Sequence, residues 1–203
     1  MPKSALLKKS DQTQFQTAAL SHKGYHRKKN EDRLAVQGYI SNDGERKHIL
    51  LAVLADGVGG HRAGETAARI GVEEVVKIIS GTDSLDQPKI ILGNAVERAN
   101  RKVLEASEED LEKKGMGSTC VCALIIEDQL FIANLGDSRA YLLRNGKISQ
   151  LTYDHTWLEE VGGGSRMLFG ESNRSHPFAH VLNRYLGSGE PVRAVSYTHL
   201  TLP

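Results

Sequence analysis

Cysteine is nearly absent. The chain has only Cys120 and Cys122, two positions apart. In a strand that spacing puts both on one face, and it suits neither a zinc knuckle nor a redox pair, so they read as reduced core thiols. An excess of either charge is absent too. Lys+Arg number 26 and Asp+Glu 25, a formal net charge of +1, which gives no bulk argument for nucleic-acid or membrane binding. Long apolar runs are missing, the longest being about seven residues (Ile49–Ala55) against the roughly 20 of a transmembrane helix. The N-terminus, "MPKSALLKKSDQTQF", lacks the apolar core and small-residue cleavage site of a secretory signal. These absences describe a cytoplasmic protein with no membrane or nucleic-acid partner. No internal repeat or low-complexity segment occurs.

What remains is an ordinary globular balance, 39% hydrophobic and 25% charged over 203 residues, enough for one sizeable domain or a large part of one. Residues 1–14 read as a mobile tail. "RLAVQGYI" (33–40) and "KHILLAVLA" (47–55) read as strands joined at Asp43-Gly44, a hairpin. "GETAARIGVEEVVKIIS" (64–80) places Ala68, Gly71, Val72, Val75, Val76 and Ile79 on one helical side, with charges opposite. A second helix starts at Pro88, with a stripe of Leu92, Ala95, Ala99, Val103 and Ala106, and fades into the acidic "SEEDLEKKG". Strands follow in "STCVCALIIE", "QLFIANLG", "SRAYLLR" and "KISQLT", with turns near Asp128 and at Asn145-Gly146, and read as antiparallel neighbours. Strands, then helices, then strands argue for an α+β layered fold. The glycine-rich stretch 161–178 reads as a mobile surface loop.

Three acids stand out. Glu31 and Asp32 precede the first strand and Asp56 ends the second, so the hairpin should gather them at one sheet edge. Clustered carboxylates repel unless cations neutralise them, and oxygen-only ligands suit Mg2+ or Mn2+. Gly57, lacking a side chain, lets its carbonyl approach an ion. Arg27, four residues before Glu31, suits bidentate capture of a phosphate. Together these suggest phosphoester hydrolysis at a two-ion site. Taken singly, each piece has a plainer reading: "NED" as a polar loop, "GGHRAGE" as a helix start with Glu65 near the positive dipole end, "GDSR" as a turn capped by Asp137.

The segments "GYHRKKNEDRLAV", "LLAVLADGVGGHRAGETAA", "GSTCVCALI", "FIANLGDSRAYLLRNGKISQLTYDH" and "HPFAHVLNRYLG" occur in that order. As a set, spanning about residues 20 to 190, they resemble the metal-dependent protein phosphatases of the 2C type in their compact bacterial form. The resemblance implies a four-layer αββα sandwich of two antiparallel sheets flanked by helices. It implies hydrolysis of phosphoserine and phosphothreonine in proteins, the products of a serine/threonine kinase, by a monomer using two Mn2+ or Mg2+ ions and a third, weaker one. It gives Asp56 the place of the bridging ligand, Gly57 that of a carbonyl ligand and Glu31 that of a ligand to the same ion. Asp32 would hold metal-bound waters, Arg27 the substrate phosphate, and Asp137 the third ion.

Some residues depart from the family pattern. His22 stands where an aspartate is frequent, and Val58 where many animal members carry a histidine, which makes His61 a tempting substitute acid. Family members continue after the segment matched by "LNRYLG" (182–187) with strands bearing two further metal-binding aspartates. No aspartate follows Asp154 here. We therefore expect a phosphatase domain over 15–190 lacking its C-terminal strands, and a tail of doubtful origin over 191–203. The alternatives are an impaired chain that binds phosphoprotein or a regulator without turnover, and another metal-dependent hydrolase on the same scaffold.

Overall fold

The computed structural model describes residues 6–11, 14–58, 62–162, 181–189 and 195–201. The chain opens with β1 (Leu7–Lys9), β2 (Arg33–Ser41) and β3 (His48–Ala55), followed directly by the short β4 (Gly57–Val58). Two long helices follow, α1 (Arg62–Ser80) and α2 (Pro88–Glu108). A 3-10 turn at Leu111–Lys113 leads to β5 (Gly117–Ser118), β6 (Cys120–Ile126) and β7 (Gln129–Leu135). Then come β8 (Tyr141–Arg144), β9 (Lys147–Gln150), α3 (Trp157–Gly162) and β10 (Val195–Thr201).

The main sheet has the order β1-β2-β3-β6-β7-β10, with every neighbouring pair antiparallel. Period-two burial splits its side chains between faces. Ile49, Leu51, Val53 and Ala55 of β3 and Cys120, Cys122 and Leu124 of β6 are buried. They share one core cluster with Ala67, Ala68, Val72, Val75 and Ile79 of α1 and Leu92, Ala95, Ala99 and Val103 of α2. The opposite face carries a smaller cluster, Val121, Leu130 and Ile132, against which Ala140 and Leu151 pack from the open end of the β8–β9 hairpin. The expected α+β class, antiparallel sheets flanked by helices, is thus what the chain adopts. The two thiols are free and buried as expected; the hydrogen bond with Cys120, and then burial, push the Cys122 thiol well above its ordinary value.

The sequence reading needs three corrections. Within the supposed tail 1–14, residues 7–9 form β1, with Leu7 opposite Ser41 and buried; three residues are too short a run to show a period. β7 and β8 are not neighbours, because residues 136–140 carry the chain out of the main sheet. Glu74 does not lie on the charged side of α1. It is buried, with Arg98 Nε 3.6 Å and Lys77 Nζ 3.5 Å from its carboxylate. Of the loop read at 161–178, residues from 163 on lie outside the described residues. Within 191–203, residues 195–201 form β10, with Val195 opposite Asn134 of β7.

Two contacts bring the remaining pieces to one end of the sheet. Residues 181–189 return to β5, with Ser118 and Leu186 exchanging backbone hydrogen bonds of 3.1 and 2.7 Å, and Leu186 is fully buried against the main core. Gly57 of β4 lies against Gly64 in the first turn of α1, so that a Cβ on Gly64 would sit 2.9 Å from the Gly57 carbonyl carbon. Alanine is ordinarily the better helix former by about 1 kcal/mol. Here Gly64→Ala is expected to destabilise instead, by about 1–3 kcal/mol from overpacking, as measured by urea unfolding; a stabilised variant would show that the β4–α1 contact is looser than described.

Candidate functional site

Asp32 stands just before β2 and Asp56 just after β3. The β2–β3 register, Arg33 opposite Ala55, places them side by side at one end of the hairpin. Their carboxyl groups meet within hydrogen-bonding reach. Burial first, then the charge and hydrogen bond of Asp32, push the Asp56 carboxyl up to about 6. Asp137 adds to the rise and Arg27 opposes it. Three of the residues singled out from sequence, Arg27, Asp32 and Asp137, therefore act on a fourth, Asp56, at this end of the sheet.

The backbone of Asp56 is immobilised. Its amide donates to Thr119 Oγ1 at 2.9 Å. Its carbonyl accepts from the Thr119 amide and from the Ser118 hydroxyl, each at 2.9 Å. Gly57 pairs with Ser118 in the β4–β5 ladder, and its closeness to Gly64 leaves no room for a side chain.

The segment before β2 is organised by its own polar groups. Asn30 Oδ1 accepts from the Asp32 amide at 3.0 Å, and Asn30 Nδ2 donates to Ser21 Oγ at 2.7 Å. Arg33 donates to the carbonyls of Asn30 and Asp32 and pairs with Glu65 at 2.5 Å. Glu65 is thus a tether between α1 and this segment as well as an acid in the first helical turn. Glu31, the third acid of the expected cluster, pairs with Arg27. Its carboxylate accepts from Arg27 Nη1 at 3.2 Å. Glu31 is 11% exposed, whereas Arg27 is 63% exposed and faces solvent.

Asp137 is exposed, in the loop that leaves β7. That loop turns at Gly136, whose φ of +102° favours glycine. The Gly136 amide donates to His155 Nδ1 at 3.1 Å, and the His155 amide returns a bond to the Gly136 carbonyl at 3.0 Å. Arg139 forks onto Asp154, with Nε–Oδ1 at 2.9 Å. Ser118, Thr119 and Ser138, which hold the aspartates in place, were missed from sequence; "GST" reads as a strand start, and nothing local marks its hydroxyls as partners of residues far along the chain. His22 accepts from the Gly24 amide at 3.0 Å in an exposed turn. Val58 pairs with Gly117. His61 lies outside the described residues.

The donors gathered here are carboxylates with a neighbouring backbone carbonyl, an oxygen-only set suited to hard divalent ions. A cation relieves the same repulsion that a proton relieves between Asp32 and Asp56. Among the described residues no group of three His, Cys, Asp or Glu side chains converges closely enough to hold an ion by itself.

Residues 17–160 match the family model described as Protein phosphatase 2C. The chain is similar to the serine/threonine phosphatase stp of Listeria monocytogenes, 34% identical over 140 residues, 68% of this chain and 55% of that protein. It therefore spans about half the length of the curated relatives it matches first. Among solved structures, the S. agalactiae serine/threonine phosphatase superposes with a TM-score of 0.78 at 31% identity, covering 91% of this chain and 73% of that one. The catalytic domain of the serine/threonine protein phosphatase PstP in complex with two manganese ions superposes at 0.70 and 26% identity, covering 97% and 73%. With the ordered motifs, the α+β fold and the match across residues 17–160, the chain belongs to the protein phosphatase 2C family.

Proposed function

We propose that this chain carries the catalytic centre of a metal-dependent protein serine/threonine phosphatase. The observation that carries the reading is the Asp32–Asp56 carboxyl pair held at the sheet end with Arg27 and Asp137 in electrostatic reach. Asp56 would bridge two Mn2+ or Mg2+ ions, with the Gly57 carbonyl and Glu31 on one of them, Asp32 positioning waters and Asp137 serving a third, weaker ion. The ions, when bound, supply Lewis-acid polarisation of the phosphoryl group and a water acidic enough to attack at neutral pH.

The side chains do the rest. Arg27 is exposed and tied only loosely to Glu31, so its guanidinium is free to turn and grip two phosphate oxygens. The locked backbone of Asp56 keeps its carboxylate from following the substrate's charge. Water oxygen forms a new bond to phosphorus, the bond to the seryl or threonyl oxygen breaks, and a proton ends on that oxygen. Substrates are phosphoproteins made by a serine/threonine kinase, and we place the enzyme in the cytoplasm as a monomer. No described helix is long and apolar enough to cross a membrane.

With Mn2+ and a phosphothreonine peptide, Asp56→Asn is expected to lower phosphate release about 100-fold or more, the scale of losing a main electrostatic group. Arg27→Ala should raise KM by roughly 10- to 100-fold, the cost of a charge-assisted hydrogen bond to substrate. Full activity in Asp56→Asn would refute the bridging role.

A stability signature accompanies the same pair without metal. An acid whose folded-state value is raised loses stability as pH climbs from its ordinary 3.8 through about 6. In a group sealed from water that shift corresponds to about 3 kcal/mol; Asp56 is half-buried, and screening leaves about 1 kcal/mol. In EDTA at pH 7.5, Asp56→Asn should therefore unfold at higher urea than the parent, and the gap should close on acidification toward pH 4. A gap independent of pH would show that the carboxyl pair carries no such repulsion.

A further inference from the structure

Thr119 is completely buried, yet each face of its side chain touches a segment that bears one of the site aspartates. Its hydroxyl oxygen accepts from the Asp56 amide at 2.9 Å and lies 2.7 Å from Ser138 Oγ. Its methyl side lies against Gly136, where a Cβ would come within 2.7 Å of Thr119 Cγ2. Gly136 and Ser138 flank Asp137. The same loop is clamped from its other side by the paired bonds between Gly136 and His155. One hydroxyl thus joins the segment carrying Asp56 to the segment carrying Asp137, which otherwise belong to different strands with no ladder between them.

We propose that Thr119 is a positioning residue for metal binding: through its hydroxyl and Ser138 it sets the separation of Asp56 from Asp137, and with it the affinity of the ion site. This rests on the reading above, that these aspartates ligate metal. A buried threonine serving only the core would contribute through volume and a satisfied hydroxyl, and Ser138 would be irrelevant to metal. The geometry says otherwise, because the hydroxyl's second contact goes to the aspartate-bearing loop and not to the core.

The test is calorimetric titration of the metal-free full chain with Mn2+, alongside thermal melting in EDTA. The variants are Thr119→Val, which keeps the shape and removes the hydroxyl, Thr119→Ser, which keeps the hydroxyl, Ser138→Ala, and the Val/Ala double variant. Ser138→Ala should weaken Mn2+ binding roughly tenfold, the loss of one hydrogen bond, and Thr119→Val at least as much, because it also removes the acceptor of the Asp56 amide. Thr119→Ser should bind like the parent, and the double variant should be no weaker than the weaker single variant, since Thr119→Val already breaks the link that Ser138→Ala breaks. Should Thr119→Val fail to melt cooperatively, Ser138→Ala against Thr119→Ser decides alone. Parent-like affinity in Ser138→Ala, or additive losses in the double variant, would overturn the proposal. A parent chain that binds no Mn2+ would instead overturn the metal reading beneath it, and the proposal with it.

Discussion

A carboxylate at the end of an apolar strand needs a reason to stay there, and for Asp56 the reason is its backbone. Both of its peptide groups are bonded to the 118–119 segment, three hydrogen bonds of 2.9 Å in all. Burying unpaired backbone groups at this point would cost more than the strand end could supply. Once they are paired, the side chain has little freedom to retreat from Asp32. The repulsion between the two acids is then a property of the fold, and a divalent cation bound there would remove it without loosening the backbone.

The same few residues also close the core. Ser118 bonds Asp56 on one side and Leu186 on the other. Leu186 sits where a Cβ on Gly71 of α1 would meet it at 2.5 Å, and Gly57 meets Gly64 one helix turn from the site. Helix α1, the β4–β5 ladder and segment 181–189 are therefore locked together beside the aspartates. Substitutions meant to probe catalysis here will also move stability, which is why metal-free unfolding belongs beside every activity measurement.

Much of this was legible in the sequence. The hairpin 33–55, both long helices and the strands after them carry strong periods or Asn-Gly and Asp-Gly turns, and the structure forms them where expected. Asp32, Asp56 and Arg27 were legible because strand ends and a hairpin register suffice to bring them together. The Arg27–Glu31 ion pair was not, since a pairwise electrostatic choice between close alternatives leaves no pattern. β1 was too short to show a period. The departure of residues 136–140 from the main sheet was hidden because "GDSR" reads equally well as a tight turn between neighbours. Thr119 and Ser138 were invisible for a further reason: a hydroxyl's partner is set by tertiary proximity and not by local spacing.

Family membership says which chemistry to look for, and the carboxyl pair supplies a physical cause for it in this chain. The central claim is that Asp56 is a metal ligand. Anomalous diffraction from crystals soaked in Mn2+ tests it most directly. A manganese peak is expected at bonding distance from the Asp56 carboxylate and beside the Gly57 carbonyl. Crystals that take up manganese elsewhere, with no peak at Asp56, would contradict it.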